Sequence, residues 1–219
     1  MDFATYRYLV LSDLYRLHGN VQLRTLAKEL LLGDSFKYIF WFRTSKYTRD
    51  QRLLRYLVYP VARLFQRHYG HRLGIGIPYL TDIGPGFYIG HFGGVFVNSR
   101  CRIGRNCNLS QGVALGLANR GSRRGVPTLG DNVYLGPGAK VVGAINIGDN
   151  VAVGANAVVT KDLPENAVAV GIPAKVISFE GSHGYVARTD YDSLIAPPPS
   201  KTGRAKTDLA ARRGTHADP

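Results

Sequence analysis

An aliphatic residue returns at every sixth position from Leu129 onward: Leu129, Leu135, Val141, Ile147, Val153 and Val159. The same step runs earlier through Val97, Ile103, Leu109 and Leu115, and before that through Ile77, Ile83 and Ile89. A helix buries residues at a period near 3.6 and a strand at a period of 2, so six suits neither alone. It suits a solenoid in which each hexapeptide forms one short flat face before the chain turns. Two positions before each aliphatic stands a second small or apolar residue: Val95, Cys101, Cys107, Val113, Val133, Ala139, Ile145, Val151 and Ala157. Each face therefore sends two side chains inward, with Gly104, Asn106, Gly130, Asp131, Gly148 and Asp149 at corners. The expected fold is mainly β, a parallel β-helix of triangular coils.

The period breaks twice. Between Ile89 and Val97 the step is eight, which bulges two residues out within Gly90-His91-Phe92-Gly93-Gly94. Between Leu115 and Leu129 the step is fourteen, which inserts eight residues in the loop from Leu117 to Val126. Solenoids accept insertions at corners, often on the binding face. One coil beyond Ile89 lies Leu109, which places His91 beneath Ser110 and Gln111. The two breaks are expected to frame one cleft. His91, the only histidine of the repeat region, has an imidazole suited to taking a proton near neutrality.

From Ile83 to Ile177, a little under half of the chain, the sequence resembles the catalytic domain of serine acetyltransferases and their relatives in polysaccharide clusters, within the hexapeptide acyltransferases. The matching residues are Gly90-His91-Phe92-Gly93-Gly94, Gln111, the run Gly154-Ala155 to Pro164, and Gly171-Ile172-Pro173-Ala174-Lys175. The resemblance implies a left-handed coil, a homotrimer, acetyl-CoA as co-substrate and no metal. It implies His91 as general base for direct attack of an acceptor hydroxyl on the thioester. Gly93, Gly94 and Gln111 are candidate oxyanion donors, and Asp82 a candidate to orient the histidine. Gly136, Pro137, Gly138 and Ala155 match positions against the pantetheine arm; Thr160, Lys161 and Lys175 match positions that meet pantetheine or phosphates. Asn119, Arg120, Arg123 and Arg124 lie in the long loop, whose arginines suit the nucleotide end, an anionic acceptor, or simple solvation.

Three positions depart from the serine-specific pattern. The acid before the catalytic histidine is replaced by Gly90, the second histidine by Val126, and the orienting aspartate by Gly76. Without the nearby acid, an ammonium-bearing acceptor lacks its obvious partner. The expected function is O-acetylation of a sugar hydroxyl in a polysaccharide, glycan or lipid-linked precursor. The alternatives are serine O-acetylation and a β-helical binding or scaffold protein without transfer activity.

The remaining chain is different in kind. Residues 1–72 are expected to be α-helical: a helix from Phe3 to about Gly19, a second capped by Asn20, a third opened by Asp34 or Ser35, and a segment from Thr48 to Tyr69 kinked or broken at Pro60. They hold 13 Lys/Arg against 5 Asp/Glu, most of the net charge of +13. Basic charge among aromatics fits a cap that packs on the prism and joins trimer contacts. It also admits peripheral contact with a membrane, whereas no motif points to nucleic acid. The expected β-helix domain covers 73–179. A tail over 180–219 reads as extended or disordered, with Tyr185 to Leu194 able to pack back. No apolar run is long enough to span a bilayer and no signal peptide is evident, which predicts a cytoplasmic protein or one at the inner membrane face. Cys101 and Cys107 take inward positions on adjacent faces and read as buried thiols.

Overall fold

The computed structural model describes residues 1–198. Five helices precede the prism: α1 (Phe3–His18), α2 (Leu23–Leu32), α3 (Ser35–Arg49), α4 (Leu54–Leu57) and α5 (Tyr59–Leu73). Asp2 caps α1 by accepting from the Thr5 amide at 2.8 Å, and Gly19 ends it in the left-handed conformation. Asn20 does not cap α2 directly. Its Oδ1 accepts from the Gln22 amide and the Thr25 hydroxyl, fixing the turn into that helix. Pro60 sits at the first turn of α5, so it begins a helix instead of kinking one.

The repeats wind as a left-handed parallel β-helix with three sheets. The first face stacks Ile75–Gly76, Val95–Val97, Ala114–Gly116, Lys140–Val142 and Val158–Val159. The second stacks Asp82–Ile83, Arg102–Ile103, Thr128–Leu129 and Asn146–Ile147. The third stacks Tyr88–Ile89, Asn108–Leu109, Tyr134–Leu135, Ala152–Val153 and Val168–Val170, closed by the antiparallel strand Lys175–Ser178. Register pairs like residues, as in Ile83 with Ile103 and Leu109 with Leu135. The aliphatics therefore form continuous inward columns, each contributing roughly 1.5–3 kcal/mol of burial.

The corner between the second and third faces carries Asn106, Asn132, Asn150 and Asn166, all left-handed, with φ of 57°, 56°, 58° and 61°. Asparagine tolerates this region better than most residues. Here each side-chain amide also donates to the next, at 2.9, 2.9 and 3.2 Å. The ladder ends where the first coil has Gly86. Tyr191, fully buried, fills that end and donates its hydroxyl to Asn106 Oδ1 at 2.8 Å. Tyr8 and Tyr15 of α1 pack edge-on against its ring. Tyr185–Leu194 thus packs back on the prism; residues 199–219 lie outside the described residues.

The cap is anchored by polar groups. Buried Arg43 of α3 pairs with buried Asp13 of α1 at 2.8 Å and donates to the Ile83 and Gly84 carbonyls, both at 2.7 Å. Asp13 in turn accepts from the Phe87 amide at 2.7 Å. Burial raises the Asp13 carboxyl above its usual range, and Arg43 opposes that shift. Tyr38 exchanges hydrogen bonds with the backbone of Ile77. These contacts hold α1 and α3 over the first coil, beside the bulge.

Candidate active site

His91 lies at the corner between the third and first faces, one residue past the hydrogen bond from the Gly90 amide to the Leu109 carbonyl. Its side chain is exposed. Gly112 donates to the Gly93 carbonyl at 2.7 Å, and Gly138 to the Gln111 carbonyl at 2.8 Å. The corner is therefore a continuous edge through His91, Gln111, Pro137 and Ala155, rising about 5 Å per coil. Lys175 joins it at the far end, opposite Val170. Gly93 and Gly94 have φ of 111° and 70°, and among the described residues neither amide donates a hydrogen bond. Gln111 Oε1 is buried without a partner among those residues. An orphaned acceptor and two free amides beside an imidazole are groups that a reacting ligand would satisfy.

The helical cap completes a cavity of about 270 Å³ against this corner. His91 and Phe92 form one wall; His18, Glu29, Asp34 and Ser35 form the other. His18 Nε2 stands 2.9 Å from Glu29 Oε1. These polar residues of α1, α2 and the start of α3 carry no local motif, and only helix packing brings them opposite His91. Lys140 was also missed: its ammonium donates to the Gly112 carbonyl next to Gln111.

Other candidates lie elsewhere. Asp82 does not reach His91: it points outward from the second face, where Lys46 stands 3.4 Å away. Alternation along a two-residue strand sends Ile83 inward and Asp82 out. The loop carrying Asn119, Arg120, Arg123 and Arg124 leaves the opposite edge of the first face, so within one chain the two breaks occupy different corners. The loop is a hairpin closed by Ala118 and Gly125 and pinned by Arg123 to Asp162 at 3.1 Å. The Asn146 amide and Arg123 hold the Asp162 carboxyl below the usual range. Thr160 and Lys161 are exposed at this second corner. Gly136 is required by coil stacking, since a Cβ there would meet the Val153 carbonyl at 2.9 Å.

The pattern for bacterial transferase hexapeptide (six repeats) matches residues 127–161. A serine acetyltransferase of Helicobacter pylori strain J99 is 42% identical over 149 residues, which is 68% of this chain and 84% of that protein. The chain belongs to the serine acetyltransferase family. The Synechococcus elongatus serine acetyltransferase is 37% identical over 153 residues, 69% of this chain but only 60% of its relative, so the match leaves much of the longer protein uncovered. A solved serine acetyltransferase in complex with CoA superposes with a TM-score of 0.59 at 26% identity, covering 78% of this chain and 68% of that one.

Within this serine acetyltransferase fold, the departures have structural counterparts. At Gly76 a Cβ would fall 2.5 Å from the Phe96 ring, so an aspartate here needs Phe96 to move. At Gly90 the nearest obstacle is the Tyr88 ring at 3.2 Å. Glu29 and Asp34, by contrast, bring carboxylates to the cavity from the cap. The acid that Gly90 lacks is thus not the only carboxylate at hand, because Glu29 and Asp34 reach the cavity from another element.

Proposed function

We propose that this protein transfers an acetyl group from acetyl-CoA to the hydroxyl of L-serine. The observation that carries the acceptor is that Glu29, beside His18, and Asp34 line the same cavity as His91, which offers carboxylates to an ammonium group. Family membership supports the same acceptor. His91 takes the hydroxyl proton as the oxygen attacks the thioester carbon. The oxyanion that forms is met by the Gly93 and Gly94 amides and the side-chain amide of Gln111. Collapse expels the CoA sulfur, which takes the proton back from His91, so the step balances without a covalent enzyme intermediate. Buried Cys101 and Cys107 are unsuited to nucleophilic attack, because burial pushes their thiols up to about 11 and about 12.

Acetyl-CoA fits the edge from Gln111 through Pro137 to Ala155, where small side chains leave room for a slender thiol arm and Lys175 offers charge at the end. Thr160, Lys161 and the loop arginines sit at the other corner, so a groove between neighbouring prisms of a homotrimer would draw on both. A sugar hydroxyl is the second reading. It is favoured by the absence of Lys and Arg from the cavity wall, which leaves only His18 and His91 to meet a serine carboxylate.

The test is CoA-thiol release by purified protein with L-serine, free sugars, nucleotide sugars and oligosaccharides. Turnover with serine that His91→Ala removes is the expected result. Turnover with sugars alone would overturn the serine reading, and undiminished activity in His91→Ala would overturn the base.

A further inference from the structure

The outward face of α4 and α5 is apolar where a surface helix is normally polar. In α5 the buried stripe is Ala62, Gln66, Gly70 and Leu73. On the other side, at helical spacing, stand Leu53, Leu57, Val61 and Leu64, exposed by 79%, 73%, 45% and 67%. Tyr56 and Phe65 flank them, also exposed. None of these side chains is used by the prism core or by the cavity at His91. Contiguous apolar exposure of this kind marks an interaction surface.

The charge around the stripe selects the partner. Between Asp50 and Asp82 the sequence contains no acidic residue, but it contains Arg52, Arg55, Arg63, Arg67 and Arg72. On the flank of α5 towards the first coil lies a second cavity of about 280 Å³, lined by Gln66 and Gly70 together with Arg63, Arg67 and His71 and by no carboxylate. Arg63 is held in place, 2.6 Å from Gln66 Oε1 and with its guanidinium 4.3 Å above the Tyr79 ring. A second copy docked about a two-fold axis through the same face would set these arginines against one another. An anionic lipid surface answers both features, because it offers an apolar layer under a plane of negative headgroups. Among the described residues no helix is long and apolar enough to cross a membrane, so the contact is one of lying on the surface.

We propose that the α4–α5 face docks on an anionic lipid bilayer, with Leu53, Leu57, Val61 and Leu64 entering the headgroup boundary and Arg63 and Arg67 holding a headgroup phosphate. The experiment is cosedimentation of the full chain with vesicles of phosphatidylcholine alone, or of phosphatidylcholine mixed with phosphatidylserine. Wild type binds the mixed vesicles, and binding weakens as salt rises. The double variant Leu57→Glu/Leu64→Glu loses binding at least tenfold with an unchanged melting curve. Arg63→Gln/Arg67→Gln lowers binding to the mixed vesicles and leaves the weak phosphatidylcholine binding as it was. Absence of wild-type binding to mixed vesicles overturns the proposal, as does equal binding by the leucine variant. Should light scattering show that the leucine variant instead lowers the oligomeric order, the face is a contact between copies and the lipid assignment fails.

Discussion

Each coil of the prism repeats the same inward pair of side chains, whereas the helical cap meets the prism through Asp13, Arg43 and Tyr38, none of which recurs. Losing one aliphatic from a column removes one increment of burial among many. Losing one partner from the Asp13–Arg43 clamp leaves a charge stranded in a dry interior. The prism distributes its stability over repeated columns, while the cap adds non-repeating contacts: the Asp13–Arg43 pair, Arg16 and Ser12 on Gly86, Tyr38 on Ile77, and Ile39 and Phe42 in the shared core.

His91 tests the comparison most severely, because it belongs to the prism but stands outside its period. His91→Ala is expected to lower acetyl transfer by about 10²–10⁴-fold, as measured by CoA-thiol release, without moving the urea midpoint. The clamp comes next. Asp13→Ala should cost about 3–5 kcal/mol in urea unfolding, and the paired change Asp13→Leu/Arg43→Met should recover most of it. If the paired change is as damaging as the single one, the joint is held by shape and not by charge.

A rung of the asparagine ladder should matter less. Asn150→Ala places alanine in a left-handed corner and removes two side-chain hydrogen bonds, for about 1–2 kcal/mol by thermal melting. A loss as large as that of Asp13→Ala would erase the contrast between repeated and non-repeating contacts. The smallest effect is a pH slope. The Cys107 thiol titrates at about 12 when folded, against an ordinary value of 9.0. The unfolded chain therefore releases this proton first, and stability falls as pH rises from about 9 towards 12. Urea midpoints at pH 7 and pH 10 should converge in Cys107→Ala relative to wild type.

Much of the prism was legible because its signal is local and repeated: Leu129 to Val159 marks the inward column, and each break in the count marks a corner. His91 was legible for the same reason, since a bulge is visible as a failed count. Asp82 misled because sequence nearness to His91 says nothing about which face a two-residue strand presents. Within one chain the two breaks do not share a cleft, as the loop of Arg120, Arg123 and Arg124 leaves a different corner. The cavity wall was invisible, because His18, Glu29 and Asp34 come from different parts of the cap and share no pattern with the repeat.

By itself the sequence determined the hexapeptide solenoid, the helical character of the cap and the bulge that exposes His91. These follow from periodicity and local propensity, which act over a few residues. Tertiary structure alone decided that Glu29 and Asp34 line one cavity with His91, that Phe96 occupies the space beside Gly76, and that Tyr191 closes the asparagine ladder. The physical reason is range. A period of six is written in neighbouring residues, but the meeting of Glu29 and His91 in one cavity depends on how α1, α2 and α3 settle on the first coil, through the buried Asp13–Arg43 pair, Arg16, Tyr38 and shared apolar packing.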